Sequence, residues 1–378
     1  MATPLQRTPL FAAHQRVGGK LIEFGGWEMP VQYSSITDEH HCVRRAAGIF
    51  DISHMGEVLV SGPAAEGFLN ATLTNDLRKL TPGHGQYTLL CNERGGVIDD
   101  LYAYRTGAAD FLLIINASRI TEDVAWLEKQ LAAFPQRNEV TLQNVSEHSA
   151  AVAIQGPKTP GLLDQLFPDA TPSELKKNQI ACCKFGGVQV AVARTGYSGE
   201  EGFEIVAPAT LIESLWEAAL KLGHPFCLQP CGLGARDTLR TEMCYPLYGH
   251  ELDENTTPIE AGVGFFVALD KGDFIGRSVL AEQKQNGVTR KCVAFKLPEK
   301  SAPPRPGYPI WSTGPDARAI GHVASGTQSP SLNTGIGMGF VPPQFAAVNT
   351  PLEIEVRGRR WPAVVAAKPL YRKPVACA

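Results

Sequence analysis

Two adjacent aspartates stand in a segment that otherwise has the character of a β-strand. The segment is ERGGVIDDLYAY (93–104), in which Gly95 and Gly96 form a turn and Asp99 and Asp100 follow. Successive strand residues point to opposite faces, so one aspartate can meet water while its neighbour faces the interior. A buried carboxylate is costly unless it is paired or hydrogen-bonded, so an inward aspartate predicts a partner. The residues alone support equally well the alternative that Asp99 and Asp100 are surface acids beside the turn.

Two further segments place charge inside apolar patterns. RTGYSGEEGFEI (194–205) predicts a tight strand, turn and strand, with Glu204 inside the second strand. CGLGARDTLRTEMCYPLYGHEL (231–252) predicts a helix that begins near Arg236 and Asp237 and carries Arg240 and Glu242. Acidic strand residues and an interior arginine can supply one another's partners. The alternative favoured by the residues alone is a structural ion pair between Arg236 and Asp237.

Other combinations of reactive residues carry less weight. Residues 51–54 spell Asp-Ile-Ser-His, but consecutive strand residues cannot converge on one point as a hydrolytic triad does. The glycines of residues 335–339 lack the following helix that a phosphate-binding loop needs. Neither the nine histidines nor the nine cysteines show metal-ligand spacing, so no metal is predicted.

The elements that position these residues alternate irregularly. Strand patterns cover residues 56–62, 86–92, 110–116, 149–156, 187–195 and 201–208, and helix patterns cover 64–73, 118–134 and 210–223. We expect Ser118 to cap the second helix and Gly223 to end the third. Glycine pairs at 95–96 and 186–187 favour hairpins, so the fold class is α+β with mainly antiparallel sheets and flanking helices.

A boundary is predicted between Gln283 and Arg290, where a polar stretch precedes a new strand. The remainder is rich in Pro and Gly and has no long helix pattern, which predicts a small C-terminal β domain, barrel-like or jelly-roll. Within it, GTQSPSLNTGIGMGF (326–340) is rich in turn residues and is expected to be an ordered loop.

Composition excludes several classes of protein. The 378 residues carry a net charge of −3 with no long block of one sign, so neither a nucleic acid nor an anionic membrane is expected as a partner. The apolar runs are too short to span a bilayer, and the first twenty residues lack a signal or transit pattern. Scattered cysteines without a CxxC pair favour a reducing compartment, so we expect a cytoplasmic location.

Several segments, in order along nearly the whole chain, resemble the glycine cleavage T-protein family of tetrahydrofolate-dependent aminomethyltransferases. The resemblance rests on RTPLFAAHQRVGGKLIEFGGWEMPVQY (7–33), FDISHMG (50–56), NERGGVIDDL (92–101), RTGYSGEEGFEI (194–205), GLGARDTLR (232–240), TPIEAGVGF (257–265) and SGTQSPSLNTGIGMGFVP (325–342). Several independent motifs in register are more specific than any one alone.

The resemblance implies both a reaction and a fold. The family transfers the one-carbon unit of an aminomethyl group from the dihydrolipoyl arm of its partner H-protein to tetrahydrofolate, which yields 5,10-methylenetetrahydrofolate and ammonia. Lipoate is carried by the H-protein, and no metal is implied. The implied fold has three domains around a central folate cavity: a folate-binding domain from residues 1–50 and 145–283, an inserted α+β domain from 51–144, and a C-terminal β domain from 290–378.

The resemblance also implies roles for individual residues. Asp100 is the catalytic acid that approaches the pterin near its N5 nitrogen, whereas Asp99 faces away. Such a carboxylate can orient the pterin, assist proton movement and stabilise developing positive charge. Glu204 binds the amino-pyrimidine edge of the pterin, and Arg236 belongs to the folate site. The remaining folate contacts carried over from the family are Tyr197, Asn116, Met55, Tyr87, Phe265 and Tyr371.

Two of these contacts depart from the family pattern. Phe265 stands where some members carry tryptophan, and the tail around Tyr371 differs from common endings. Two other functions stay open: a tetrahydrofolate-dependent demethylase of a small sulfonium donor, which needs no H-protein, and a folate-binding maintenance protein without catalysis. The H-protein partner implies a docking surface in which exposed Lys or Arg meets an acidic lipoyl domain.

Overall fold

A computed structural model describes residues 4–298 and 302–373. Within these ranges the chain forms nine α-helices. They are α1 (Phe11–Arg16), α2 (Ile36–Arg45), α3 (Ala65–Thr72), α4 (Ile120–Ala133), α5 (Thr159–Leu166), α6 (Ile212–Gly223), α7 (Leu233–Glu242), α8 (Pro258–Ala261) and α9 (Arg277–Asn286).

The strands of the described ranges form four sheets. They are β1 (Lys20–Phe24), β2 (Trp27–Gln32), β3 (Ala47–Asp51), β4 (Gly56–Ser61), β5 (His84–Cys91), β6 (Val97–Arg105), β7 (Asp110–Ile115), β8 (Thr141–Asn144), β9 (Ser149–Gln155), β10 (Ile180–Phe185), β11 (Val188–Ala193), β12 (Gly202–Pro208), β13 (Leu228–Pro230), β14 (Lys291–Lys296), β15 (Pro309–Trp311), β16 (Ala319–Ser329), β17 (Thr334–Val341), β18 (Pro351–Val356) and β19 (Arg359–Ala366).

The chain divides into two compact units. Unit 1 contains residues 1–91, 98–236 and 268–275, and unit 2 contains residues 92–97, 237–267 and 276–378. Each unit is built from three separate stretches of the sequence.

The larger sheet of unit 1 has six strands in the order β10-β11-β12-β9-β3-β13. Its pairings are antiparallel except for the parallel contact between β13 and β3. Helices α5 and α6 contribute Leu162, Leu163 and Trp216 to the buried core beneath it. The predicted hairpin between β10 and β11 is confirmed, with Gly186 and Gly187 both at positive φ.

The second sheet of unit 1 has the order β5-β6-β7-β4-β8. Helices α3 and α4 pack on one face of this sheet, where Phe68 and Leu127 join Leu101 and Ala103 in a buried core. On the other face Tyr104 and Leu112 cluster with Ile180 and Ala193 of the six-stranded sheet. The five-stranded sheet therefore has two covered faces, which explains why its strands read as nearly continuous apolar runs.

Helix α4 corrects one expectation. A 3₁₀ turn over Ala117–Arg119 precedes it, the N-cap residue is Arg119, and no side chain caps the helix. Ser118 lies inside that turn and is not the cap. Helix α6 ends at Gly223, as predicted.

Unit 2 contains a closed barrel of β14-β17-β16-β15-β18-β19, which confirms the small C-terminal β domain. Strand β14 begins at Lys291, directly after the predicted boundary. The segment expected to be an ordered loop is instead a hairpin, because β16 and β17 pair as far as Ser329 and Thr334. Small and apolar residues alternate along both strands, although the many turn residues of the segment predict a loop.

The α+β fold class with mainly antiparallel sheets is thus confirmed. In the parts of the chain that the structure describes, no helix is long and apolar enough to cross a membrane.

Candidate functional site

Strand β6 turns its two aspartates to opposite faces, as alternation predicts. Asp99 shares a face with Leu101 and Ala103 and is fully buried toward the helices. Asp100 shares the other face with Tyr102 and Tyr104 and is half-buried. The alternative of a surface acid is therefore wrong for Asp99, and Asp100 is the one that a ligand between the two sheets can reach.

Two polar side chains hold the carboxylate of Asp100. The hydroxyl of Tyr87, on β5, donates to Oδ2 at 2.8 Å. The amide Nδ2 of Asn116, which follows β7, donates to Oδ1 at 3.0 Å. The carboxylate is thereby fixed by one donor on each oxygen.

Asn116 binds Asp99 as well. Its backbone N–H donates to Asp99 Oδ2 at 2.9 Å, and its Nδ2 donates to Asp99 Oδ1 at 2.8 Å. One asparagine therefore connects the two aspartates, although their side chains lie on opposite faces of the strand.

The proton affinity of Asp100 is unusual for an aspartate. Burial, followed by the neighbouring charge of Asp99, raises the pKa of Asp100 to about 7, while the hydrogen bonds from Tyr87 and Asn116 favour the ionised form. Burial likewise raises the pKa of Asp99. Burial and the charge of Asp100 hold the pKa of Tyr87 well above its ordinary value, so this hydroxyl keeps its proton and donates. Asp100 can gain or release a proton near neutral pH.

Glu204 lies on β12 in the six-stranded sheet. Its Oε2 accepts a hydrogen bond of 2.8 Å from Thr195, whose hydroxyl in turn lies 2.9 Å from that of Tyr104. Tyr104 comes from β6, so these three side chains connect the two sheets of unit 1. The contact with Thr195 is made by one of the two carboxylate oxygens of Glu204.

An apolar cavity separates the two sheets. Met55 and Glu204 both line it, together with Ile52, Tyr104, Leu112, Ile114, Ala151, Ile180, Ala191, Ala193 and Val206. Its lining thus combines a flexible thioether, a phenol and one carboxylate with aliphatic side chains.

Arg236, on α7, stacks on the tyrosine of the glycine-rich turn. Its guanidinium carbon lies 4.8 Å from the centroid of the Tyr197 ring. Burial lowers the pKa of Arg236, and the charge of Glu204 acts in the opposite direction. Asp237 pairs instead with Arg240, at 2.7 Å, so the expected ion pair of Arg236 with its sequence neighbour is replaced by two other contacts.

The turn that carries Tyr197 is anchored by Gln155. Ser198 donates to Gln155 Oε1 at 2.7 Å, and Gln155 Nε2 donates to the carbonyl oxygen of Thr195 at 3.1 Å. These bonds fix the backbone on both sides of Tyr197.

Seven of the nine predicted site residues thus lie in unit 1, and all seven are half-buried: Met55, Tyr87, Asp100, Asn116, Tyr197, Glu204 and Arg236. The other two belong to unit 2. Phe265 has 77 % of its surface exposed, with its ring 4.2 Å from that of Phe266. Tyr371 donates its backbone N–H to the carbonyl of Glu242 at 3.0 Å. Their contact with folate stays a prediction.

Residues of the site that sequence reasoning missed are Asp123, Thr195 and Gln155. Asp123 is fully buried on α4, four residues before the buried Leu127. That helical spacing places an acid on an apolar face, which was the signal available in the sequence. Thr195 and Gln155 carried no comparable signal, because their roles depend on contacts between distant segments.

Asp51, the first residue of the Asp-Ile-Ser-His segment, has a structural role. Asp51 accepts hydrogen bonds from Thr8 at 2.6 Å and from Ser53 N at 2.8 Å, and it lies 2.8 Å from His14 Nε2. His54 is buried elsewhere, against Phe24, and burial lowers its pKa to about 4. This arrangement is not a hydrolytic triad, because the other ring nitrogen of His14 contacts the hydroxyl of Tyr33, at 2.8 Å, and not a serine.

Comparison with known families assigns both parts of the chain. Residues 10–271 match the family described as GCVT N-terminal domain, and residues 290–372 match the glycine cleavage T-protein C-terminal barrel domain. The second match coincides with the closed barrel of unit 2.

Curated relatives and a solved structure agree with these matches. Aminomethyltransferases of Bacillus cereus and of Bacillus thuringiensis subsp. konkukian are each 47 % identical to the chain over 374 residues, covering 98 % of this chain and 99 % of theirs. The crystal structure of glycine cleavage system aminomethyltransferase T from Bartonella henselae is 33 % identical, with a TM-score of 0.88 over 97 % of this chain and 98 % of that one. The chain belongs to the glycine cleavage T-protein family of aminomethyltransferases.

Proposed function

We propose that this aminomethyltransferase moves the one-carbon unit of an aminomethyl group from the dihydrolipoyl arm of an H-protein to tetrahydrofolate, with release of ammonia and 5,10-methylenetetrahydrofolate. The observation that carries this proposal is the Asp100 carboxylate, which Tyr87 and Asn116 hold on the cavity-facing side of β6. Folate and the lipoyl arm are both substrates here, and the lipoate belongs to the partner.

The residues of unit 1 fit a reduced pterin. The cavity is narrow and apolar, and Glu204 is among the residues that line it. A carboxylate accepts two N–H bonds from an amino-pyrimidine edge, which gives Glu204 the orienting role. Tyr197 and Met55 supply flat and flexible surface for the ring and its aminobenzoyl extension.

Bound tetrahydrofolate supplies the amine nitrogens that accept the one-carbon unit. Asp100 orients the nearer nitrogen through its N–H and takes up or returns a proton there, which a pKa of about 7 suits at neutral pH. Its negative charge also stabilises the positive charge that develops on the transferred carbon. Arg236 keeps Tyr197 in place and balances the charge of Glu204.

Holding both substrates at Asp100 contributes to the rate in a further way. Fixing the acceptor nitrogen close to the incoming carbon removes much of the entropic cost of a reaction between two substrates. Phe265 and Tyr371 are proposed to complete the folate contacts, and the three-domain arrangement around the folate cavity is proposed with them. The cytoplasmic location and the basic docking surface for H-protein belong to the same proposal.

Single-turnover formation of 5,10-methylenetetrahydrofolate tests the proposal. Aminomethylated H-protein and tetrahydrofolate are mixed with the wild-type chain, with Asp100→Asn and with Asp110→Asn. Asp110 lies at the exposed start of β7, so its variant is a matched control on the same sheet. We expect Asp100→Asn to bind folate and lose most turnover, while Asp110→Asn keeps it.

Two further measurements distinguish the transfer reaction from the two alternative functions. Turnover with a small sulfonium donor and no H-protein would establish the demethylase instead. Folate binding without transfer from any donor would indicate the maintenance protein. Unchanged turnover in Asp100→Asn would remove the role assigned to this residue.

A further inference from the structure

A buried pair of acids lies directly behind the proposed catalytic carboxylate. Asp99, on β6, and Asp123, on the first turn of α4, are both completely buried and are within hydrogen-bonding contact of each other. Among the described residues no N–H or O–H donor reaches either carboxyl oxygen of Asp123. Asp123 therefore meets another acceptor, and only a proton between them can make that contact favourable.

The surroundings decide which acid carries the proton. Asp99 already accepts two N–H bonds from Asn116, at 2.9 Å from its backbone and 2.8 Å from its side chain, and such bonds stabilise an ionised carboxylate. Asp123 has no such donors. Burial raises the pKa of Asp123 far above that of an exposed aspartate, and the adjacent charge of Asp99 raises it further. Asp123 is therefore the member suited to hold the proton and to donate it to Asp99.

The charged groups nearest the pair act on it in opposite directions. Arg119, which precedes α4, favours ionisation of Asp123, whereas Glu122 opposes it. Asp99 precedes Asp100 on the strand with its side chain on the opposite face, and its charge raises the pKa of Asp100. Tyr87 acts on Asp100 from the other side through its hydrogen bond.

We propose that Asp123 is a positioning residue for the transfer reaction, acting through its shared proton with Asp99 on Asn116 and thereby on Asp100. The proposal deepens the proposed function and rests on it. The O–H of Asp123 keeps Asp99 ionised, Asp99 fixes the amide of Asn116, and Nδ2 of that amide fixes Oδ1 of Asp100. Asp123 touches neither substrate in this arrangement.

Substitutions separate this role from simple packing. In Asp123→Ala, Asp99 loses its donor, and its burial drives it to bind a proton itself. The amide of Asn116 then loses an ionised acceptor, and the like charge beside Asp100 disappears. We expect a single-turnover rate lower by about tenfold to a hundredfold and an apparent pKa moved to lower pH.

Asp123→Asn is the conservative rescue. Its amide has the shape of the carboxyl group and can donate an N–H to Asp99 where the acid donated its O–H. We expect this variant to transfer the one-carbon unit faster than Asp123→Ala and to keep the wild-type pH profile. Glu128→Ala, at an exposed position further along the same helix, is the matched control and should behave as wild type.

A spectroscopic readout does not depend on transfer activity. Infrared spectra of the chain labelled with carbon-13 aspartate, recorded at about pH 9, where Asp100 with its pKa of about 7 is ionised, report any aspartate that still holds a proton. We expect a protonated aspartate band in the wild type that Asp123→Asn lacks. This result can be obtained even if the assay with H-protein fails.

Each possible result of these experiments either supports or overturns the proposal. A band that disappears in Asp123→Asn, with a pH profile that moves only in Asp123→Ala, supports the proposal. If the wild type has no such band, or if the band persists in Asp123→Asn, the proposal is overturned. A pH profile that stays unchanged in a folded Asp123→Ala also overturns it. If Asp123→Ala does not fold, the infrared comparison of wild type with Asp123→Asn decides alone.

Discussion

Gly196 and Gln155 lie so close together that a Cβ atom added to Gly196 would be 1.9 Å from Oε1 of Gln155. The same glutamine holds Thr195 and Ser198 by hydrogen bonds, so the absent side chain at position 196 is what allows the turn to fold around it. Tyr197 lies between those two anchored residues. The position of its ring therefore depends on Gln155.

Gly196→Ala is expected to weaken folate binding. The added methyl group displaces either Gln155 or the turn, and Tyr197 with it, for a loss in affinity of about tenfold or more. Titration of folate by protein fluorescence measures this. Gly67→Ala is the control, since its Cβ would meet only Phe134 at 3.7 Å.

A second substitution distinguishes crowding from other effects at Gly196. In a Gln155→Ala background the added methyl group has room, so Gly196→Ala should cost less there than in the wild type. Equal costs in the two backgrounds would refute the steric explanation.

The transfer rate is expected to rise with pH through about 7. Burial and the charge of Asp99 raise the pKa of Asp100 to that value, and the proposed active form is the ionised one, so activity is lost on the acid side. Tyr87→Phe removes a donor that favours the ionised form. The midpoint should move to higher pH by about one pH unit in single-turnover measurements. A midpoint that moves down would contradict the assignment of Asp100.

The buried side chain of Glu57 should make the free energy of unfolding depend on pH. It is 1 % exposed, both carboxyl oxygens lack a partner among the described residues, and burial raises its pKa from 4.5 to about 8. From about pH 4.5 to about pH 8 the unfolded chain has released this proton while the folded chain keeps it. The contribution of Glu57 to the free energy of unfolding falls there by about 1.4 kcal/mol per pH unit.

Urea unfolding across that range tests the dependence. Glu57→Gln cannot ionise, so its stability should vary less with pH and should exceed that of wild type near pH 8. Glu128→Gln, on an exposed face of α4, should retain the wild-type slope. Parallel curves for wild type and Glu57→Gln would show that position 57 does not titrate in this range.

Lys271 stabilises the end of helix α3. Its ammonium donates to the carbonyl oxygens of Asn70 at 2.7 Å, Asn75 at 3.0 Å and Leu73. Lys271→Met leaves these carbonyls without that donor, which should lower the free energy of unfolding by about 3 kcal/mol. Thermal unfolding measures this loss of stability. Lys79→Met, at an exposed position, is the control. Equal losses in both variants would argue against a specific role for Lys271.

Local pattern was enough to predict much of the fold. The alternation in β6 predicted opposite faces for Asp99 and Asp100, and paired glycines predicted the β10–β11 hairpin. The hairpin of β16 and β17 was missed because serine, asparagine and glycine are frequent both in turns and in tightly packed barrel strands. There Gly337 and Gly339 leave no space for a Cβ against neighbouring strands.

The candidate site was predictable only in part. Asp100 and Glu204 stood out as acids within apolar strands, and the family resemblance supplied their roles. The contact of Asp123 with Asp99 joins positions 24 residues apart, which no local pattern specifies. Similarly, Gln155 reaches residues of the turn that are about 40 positions away. Such contacts depend on the packing of complete sheets.

The single amide of Asn116 that serves Asp99 and Asp100 also governs how mutations will combine. Removing any one of these three side chains disturbs the hydrogen bonds of the other two, so their effects on transfer will not add. A chain that has already lost Asn116 should lose less from Asp99→Asn than the intact chain does. During evolution the three positions would therefore change in a coupled way. Whether a substitution at one of them is tolerated depends on which residues the other two already carry.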